Sequence, residues 1–145
     1  MSVVAFSLTG EVRGKGRPRA TVRGGYARLY TDALTRKYEQ SIRDVAQRHM
    51  MGRKPLDGPL SVSFQFRLEP PRSMSKRQRA RVLSGEDPYF GRIDADNMIK
   101  AAQDAMNGVI WLDDVQIVRL WATKVAAEVP GIDIRVEALM PQVGE

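Results

Sequence analysis

At 145 residues with 43% hydrophobic side chains, the chain is long enough for one domain with a genuine core and too apolar to be disordered. It has no cysteine, which excludes disulfides, thiolate metal sites and cysteine nucleophiles; its one histidine, His49, rules out a histidine-rich metal site and argues against a Ser-His-Asp triad. The net charge of +6 points to nucleic acid or another acidic partner. No stretch approaches the ~20 apolar residues of a membrane span. The apolar start, residues 1–8, is too short for a signal peptide, so a cytoplasmic protein without membrane contact is expected.

Residues 3–8 read as a first strand, closed by the turn signal Thr9-Gly10. Gly14-Lys15-Gly16-Arg17-Pro18-Arg19 reads as a loop, because two glycines and a proline interrupt either regular element. Residues 22–30 suggest a short hairpin around Gly24-Gly25. Thr31 or Asp32 then caps a helix running to His49 or Met50, with Leu34, Tyr38, Ile42 and Val45 forming one apolar stripe. Gly52 and Pro55 mark its end. Residues 60–68 alternate cleanly, Leu60, Val62, Phe64, Phe66 and Leu68 sharing one face, as a half-buried strand does.

Pro70-Pro71 stops that strand. Residues 75–83 suggest a short basic helix closed by Gly85, and residues 86–92 a loop. A helix from about Asp96 to Met106 ends at Asn107-Gly108. Residues 117–125 and 131–139 read as two further strands. The expected architecture is α/β or α+β, with a small mixed sheet of about four strands packed by two main helices. No repeat or linker is visible, so residues 1–145 are expected to form a single domain.

Two segments concentrate positive charge. Arg13, Lys15, Arg17, Arg19, Arg23 and Arg28 crowd the first; Arg72, Lys76, Arg77, Arg79 and Arg81 crowd the second. These segments, together with Arg92, are the candidate phosphate contacts. Such contacts position a duplex but carry no base identity. Tyr26, Tyr30, Tyr89 and Phe90 can stack on bases, though packing at the core edge is the simpler reading of each. Trp111 suits the core or a dimer interface, and His49 is simply helix-terminal.

Against this basic background stand five aspartates between residues 94 and 114: Asp94, Asp96, Asp104, Asp113 and Asp114. Crowded carboxylates repel unless a cation lies among them, and hard divalent cations take oxygen ligands. Asp94 and Asp96 fall at a helix N-terminus, where the helix dipole favours negative charge. Asn97, Lys100, Asp104 and Asn107 form one polar stripe on that helix, leaving Ile99, Ala102 and Met106 for the core. Asp113-Asp114 can return to the same place. Taken singly, Asp94 or Asp96 reads as an ordinary N-cap, the Asp96-Lys100-Asp104 series as solvated i,i+4 pairs, and Asp113-Asp114 as a turn. The clustering argues for a site.

The pattern Asp94-x-Asp96-Asn97-x-x-Lys100, then Asp104-Ala105, then Trp111-Leu112-Asp113-Asp114-x-Gln116 resembles the signature of the RusA family of Holliday-junction resolvases, which are small endodeoxyribonucleases, often prophage-encoded. The 14–19 loop is similar to an N-terminal motif of many members. The approach Gly91-Arg92-Ile93 and the longer basic insertion between Pro71 and Arg81 depart from the family pattern without touching the acidic residues. The resemblance implies that Asp94, Asp96 and Asp114 bind catalytic Mg2+, with Mn2+ as a possible substitute, and that Lys100 is needed for cleavage. It further implies a symmetric homodimer that nicks opposed strands of a four-way DNA junction. Chemically, Lys100 suits the developing phosphorane charge, while Asn97 and Asp113 can orient the ligands. A nuclease for flaps or other branched DNA, and a non-catalytic branched-DNA binding protein, are the rival readings. A nucleotide hydrolase fits the carboxylates but not two arginine-rich segments.

Overall fold

A computed structural model describes residues 2–15, 19–23, 26–30 and 32–144, with backbone alone for 19–23 and 26–30. The chain order is β1 (Val3–Thr9), β2 (Arg19–Arg23), β3 (Tyr26–Tyr30), α1 (Ala33–Met50), β4 (Leu60–Leu68), α2 (Lys76–Leu83), α3 (Ala95–Met106), β5 (Ile117–Ala126) and β6 (Gly131–Ala138). A 3-10 turn, Asp114–Gln116, leads into β5. This is an α+β fold. Among the described residues, no helix is long and apolar enough to cross a membrane.

Four strands form a mixed sheet in the order β1-β6-β4-β5, and β2 and β3 pair separately as an antiparallel hairpin. That hairpin begins at Arg19, three residues before the start read from the sequence. β4 pairs antiparallel with β6 and parallel with β5. Its alternation is realised as expected: Leu60, Val62, Phe64, Phe66 and Leu68 are all buried. A one-residue slip would turn all five to the opposite face, so the pattern fixes the register. The same face is continued by Ile132, Ile134 and Val136 of β6 and by Val4 and Phe6 of β1.

Helices α1 and α3 cover that face and pack on one another. Ile42, Ala46 and Met50 from α1 and Met98, Ala102, Ala105 and Met106 from α3 complete the core. Each large apolar side chain fully buried here stabilises the fold by about 1.5–3 kcal/mol. The opposite sheet face stays open. It carries a shallow groove of about 450 Å3 lined by Ser63, Gln65, Trp121, Thr123 and Arg135, among others. β5 is an edge strand, exposed along most of its length, with Val118, Leu120 and Trp121 open to solvent.

Asp32 caps α1, its carboxylate accepting from the backbone N–H of Thr35 at 2.9 Å and from the Thr35 hydroxyl at 2.7 Å. The helix closes on Met51 in the left-handed region, one residue before the expected Gly52. His49 lies in its last turn, as anticipated, its ring 5.2 Å from that of Phe6. The bonds from Thr35, with a smaller contribution from the Arg13 charge, hold the Asp32 carboxyl below its ordinary pKa of 3.8. A depressed acid stabilises the fold above its unfolded pKa and loses that contribution as pH falls through the folded one. Asp32→Ala should therefore lower the melting temperature at neutral pH. Thermal scans from pH 7 down to pH 2 should show the deficit holding above about pH 4 and shrinking below it.

Candidate functional site

The acidic residues lie on the connection between β4 and β5. Gly91, with φ of +64°, turns the chain just before the first of them. A Cβ there would stand 2.8 Å from Leu68 Cδ1, so both the conformation and the space favour glycine. Asp94 is the N-cap of α3, yet its side chain makes no capping hydrogen bond. The Asn97 amide reaches it only at 3.5 Å, which is weak. Asp96 follows in the first turn, and both carboxylates are exposed at the positive end of the helix dipole.

One turn further along α3, Lys100 stands among carboxylates. Its Nζ lies 3.1 Å from Asp104 Oδ1 and 4.0 Å from Asp114 Oδ2. The expected i,i+4 pairing is thus made with Asp104, and the same amine links the helix to the turn that carries Asp114. The N-terminal segment joins in as well. Lys15 Nζ contacts Asp104 Oδ2 at 3.1 Å and Glu39 Oε1 on α1 at 2.8 Å. Burial opposes its charge, but the bonds and charges of Glu39 and Asp104 outweigh that and raise the Lys15 pKa.

Asp114 is held by a local scaffold. Asp113 caps the 3-10 turn, accepting from Val115 N–H at 3.0 Å, and Gln116 completes a capping box. Gln116 Oε1 accepts from the N–H groups of Leu112 and Asp113, while its amide donates to the carbonyls of Leu56 and Gly58, each at 3.0 Å. One glutamine therefore pins the turn to the loop before β4. Behind it Trp111 is fully buried, its indole donating to Asn107 Oδ1 at 2.6 Å, which settles it in the core. Asp114 is partly buried. Burial first, then the hydrogen bond and charge of Asp113 and the charge of Asp104, push its pKa above the ordinary carboxylate range, with Lys100 opposing.

These oxygen donors suit a hard divalent cation: Asp94 spends no carboxylate oxygen on capping, and Asp114 carries the signature of anionic crowding. Among the described residues, no three His, Cys, Asp or Glu side chains already converge as a metal cluster. Asp96 lies one helical turn, ~6 Å of rise, from Lys100, so the lysine stands between the two aspartate groups.

The basic residues separate into kinds. Arg72, Lys76, Arg77 and Arg92 are exposed. Arg79 donates to the carbonyl of Pro70 at 3.1 Å, and Arg81 grips Asp87 through two bonds near 3 Å. Arg13 and Arg92 flank a cleft of about 330 Å3 that opens beside Asp94 and Asn97, and the Arg13 Nε is buried there without a hydrogen-bond partner among the described residues. Arg17 lies outside the described residues, as do the side chains of Arg19, Arg23, Arg28, Tyr26 and Tyr30. Phe90 is exposed next to the site, whereas Tyr89 packs against the core.

Sequence reading missed Lys124. From β5 its amine donates to the carbonyls of Phe90, at 2.8 Å, and Ile93, clamping the backbone that leads into Asp94. Only the parallel pairing of β4 with β5 brings it there, and no local pattern announces that pairing. Because Asp94 makes no capping bond, Asp94→Ala should cost far less stability than the ~1 kcal/mol usual for a capping aspartate. Urea denaturation of the metal-free protein checks this; a loss of the usual size would show that the carboxylate is used structurally.

The chain is 28% identical over 141 residues to YqaN, an uncharacterized protein of Bacillus subtilis (strain 168), covering 94% of this chain and 96% of that one. Residues 9–137, which span every described helix and strand except β1 ahead of Thr9 and the last residue of β6, match the family described as "Endodeoxyribonuclease RusA". The chain belongs to the RusA family of endodeoxyribonucleases.

Proposed function

We propose that this protein is a divalent-metal-dependent endonuclease that resolves four-way DNA junctions by paired, symmetric nicks, acting as a homodimer in recombination and repair. The observation that carries this reading is the grouping of Lys100 and Asp104 of α3 with Asp114, on a helix capped by Asp94 and bearing Asp96 in its first turn, in a chain of an endodeoxyribonuclease family.

Asp94, Asp96 and Asp114 would hold Mg2+, or Mn2+ in its place. When bound, such an ion supplies a polarised water and neutralises charge on the phosphate. Lys100 brings a fixed positive charge to the point where negative charge grows on the phosphate oxygens. Asp113 and Gln116 keep Asp114 on its turn, and Lys124 keeps the Asp94 loop in place. Asn97, within reach of Asp94, orients that carboxylate.

Binding falls to Arg13, Arg72, Lys76, Arg77 and Arg92, with Arg17 and Arg19 of the N-terminal loop. These residues neutralise backbone phosphates and read shape rather than sequence. A two-fold dimer matches the symmetry of a four-way junction. The exposed apolar residues of the β5 edge, Val118, Leu120 and Trp121, support such an assembly, since proteins normally cover or blunt an edge of this kind. A bacterial or phage-infected cytoplasm is where these intermediates arise.

The test is incubation of the purified protein with a synthetic four-way junction, a flap and a linear duplex, in Mg2+ and in EDTA. Paired symmetric nicks in the junction alone, abolished by EDTA and by Asp96→Asn, are the expected result. Asp96→Asn should still bind the junction. Preferential cutting of the flap would make this a nuclease of other branched DNA; binding without cutting in any metal would leave a DNA-binding protein. Junction affinity should fall by orders of magnitude between 50 and 200 mM salt if about six or more phosphates are contacted.

A further inference from the structure

Lys15 belongs by sequence to an arginine-rich loop, and by charge alone it would join the phosphate contacts. Its surroundings assign it elsewhere. The side chain is only about one-fifth exposed, and its amine lies between two carboxylates, Glu39 on α1 and Asp104 on α3. The backbone is fixed too: Lys15 N–H donates to the carbonyl of Asn97 at 2.8 Å. Gly14 allows that approach, because a Cβ there would stand 2.6 Å from Ile93 Cγ2 and 3.1 Å from Asn97 Cβ. The segment is therefore docked on the first turns of α3.

The two oxygens of Asp104 are divided. Oδ2 faces Lys15 and Oδ1 faces Lys100, each at 3.1 Å. With Lys15 in place, the Asp104 charge is shared between two ammonium groups, so Lys100 is held by one oxygen and not fully neutralised. Without Lys15, both oxygens become available to Lys100. The amine would then be drawn toward Asp104 and away from Asp114, and less of its charge would be available to a phosphate.

We propose that Lys15 and Asp104 are positioning residues that set the place and charge of Lys100, and that Lys15 is not a DNA contact. This rests on the reading of Lys100 given above. Lys15→Met should lower the single-turnover junction-cleavage rate at saturating protein by ten-fold or more, while half-saturation and junction affinity in EDTA stay as in the wild type. The slope of log affinity against log salt should not change, whereas loss of a phosphate contact would reduce it by about one. Lys15→Arg, which can still reach both carboxylates, should recover most of the rate.

Asp104→Asn provides a second route should Lys15→Met fold poorly: it removes the carboxylate that holds the Lys100 amine at 3.1 Å, so the amine loses its fixed place and the rate should fall with unchanged binding. Wild-type cleavage by a folded Lys15→Met or Asp104→Asn would overturn the assignment. A Lys15→Met protein with weakened binding and a salt slope shallower by one would also overturn it and return Lys15 to the phosphate contacts. If the wild type cuts no branched DNA under any metal, the functional reading itself falls and this assignment falls with it, an outcome separate from the other two.

Discussion

Two parallel strands cannot be joined by a tight turn, and that constraint organises this molecule. β4 and β5 lie side by side in parallel, from the pairing of Leu60 with Ile117 to that of Leu68 with Ala126. The chain leaving β4 must therefore travel back along the sheet before β5 can begin. That return carries α2, then α3 laid over the core face, then the 3-10 turn. Every residue of the acidic site lies on it. Asp94 and Asp96 sit where the return enters α3, and Asp113 and Asp114 where it leaves for β5. Lys124 of β5 then reaches back to the carbonyls just ahead of Asp94, tying the entry of the crossover to the strand that ends it.

Charge is managed by the same arrangement. A net charge of +6 suggests a broad cationic surface, but a good part of the positive charge is used within the protein. Lys15 and Lys100 share Asp104, Arg81 holds Asp87, Arg67 holds Asp133, and Arg79 and Lys124 donate to backbone carbonyls. The exposed pairs are worth little individually. The inner set differs, because its members are partly shielded and share partners. Arg72, Lys76 and Arg77, which stay exposed, lie on or beside α2, a helix that buries no residue of its own. An element with no core role is well suited to presenting charge.

Much of this was legible in the sequence, for identifiable reasons. The period-two run of β4 and the stripe of α1 are imposed by burial on one face, so they appear as hydrophobic pattern. Asp32 and Ser75 announce their helices because a short polar side chain is the usual cap. The clustering of aspartates pointed to the candidate site, and the i,i+4 spacing offered Lys100 two partners, Asp96 and Asp104, of which Asp104 is the one it pairs with. Long-range chemistry stayed hidden. Lys15 looked like one more cation of a basic loop until Glu39 and Asp104 were placed beside it. Lys124 looked like a strand lysine until parallel pairing carried it to Ile93. The exposure of β5 was hidden too, since an edge strand and a central strand can share the same apolar composition.

The uncapped Asp94 departs from what folding alone would favour. A carboxylate at a helix N-cap ordinarily turns inward to bond the first free N–H groups, as Asp32 does for α1. Asp94 gives up that bond and remains exposed, favoured by the helix dipole and reached only by a weak bond from the Asn97 amide. Asp114, at the other side of Lys100, sits in surroundings that disfavour its charge. Folding stability would be served by capping the first and replacing the second with a neutral residue. Retaining both unsatisfied carboxylates at the two ends of one crossover makes physical sense when a cation is their partner, with Lys100 as its resting counterweight. If Asp94 and Asp114 hold a cation as proposed, Lys100 would remain as the protein's own positive charge between them.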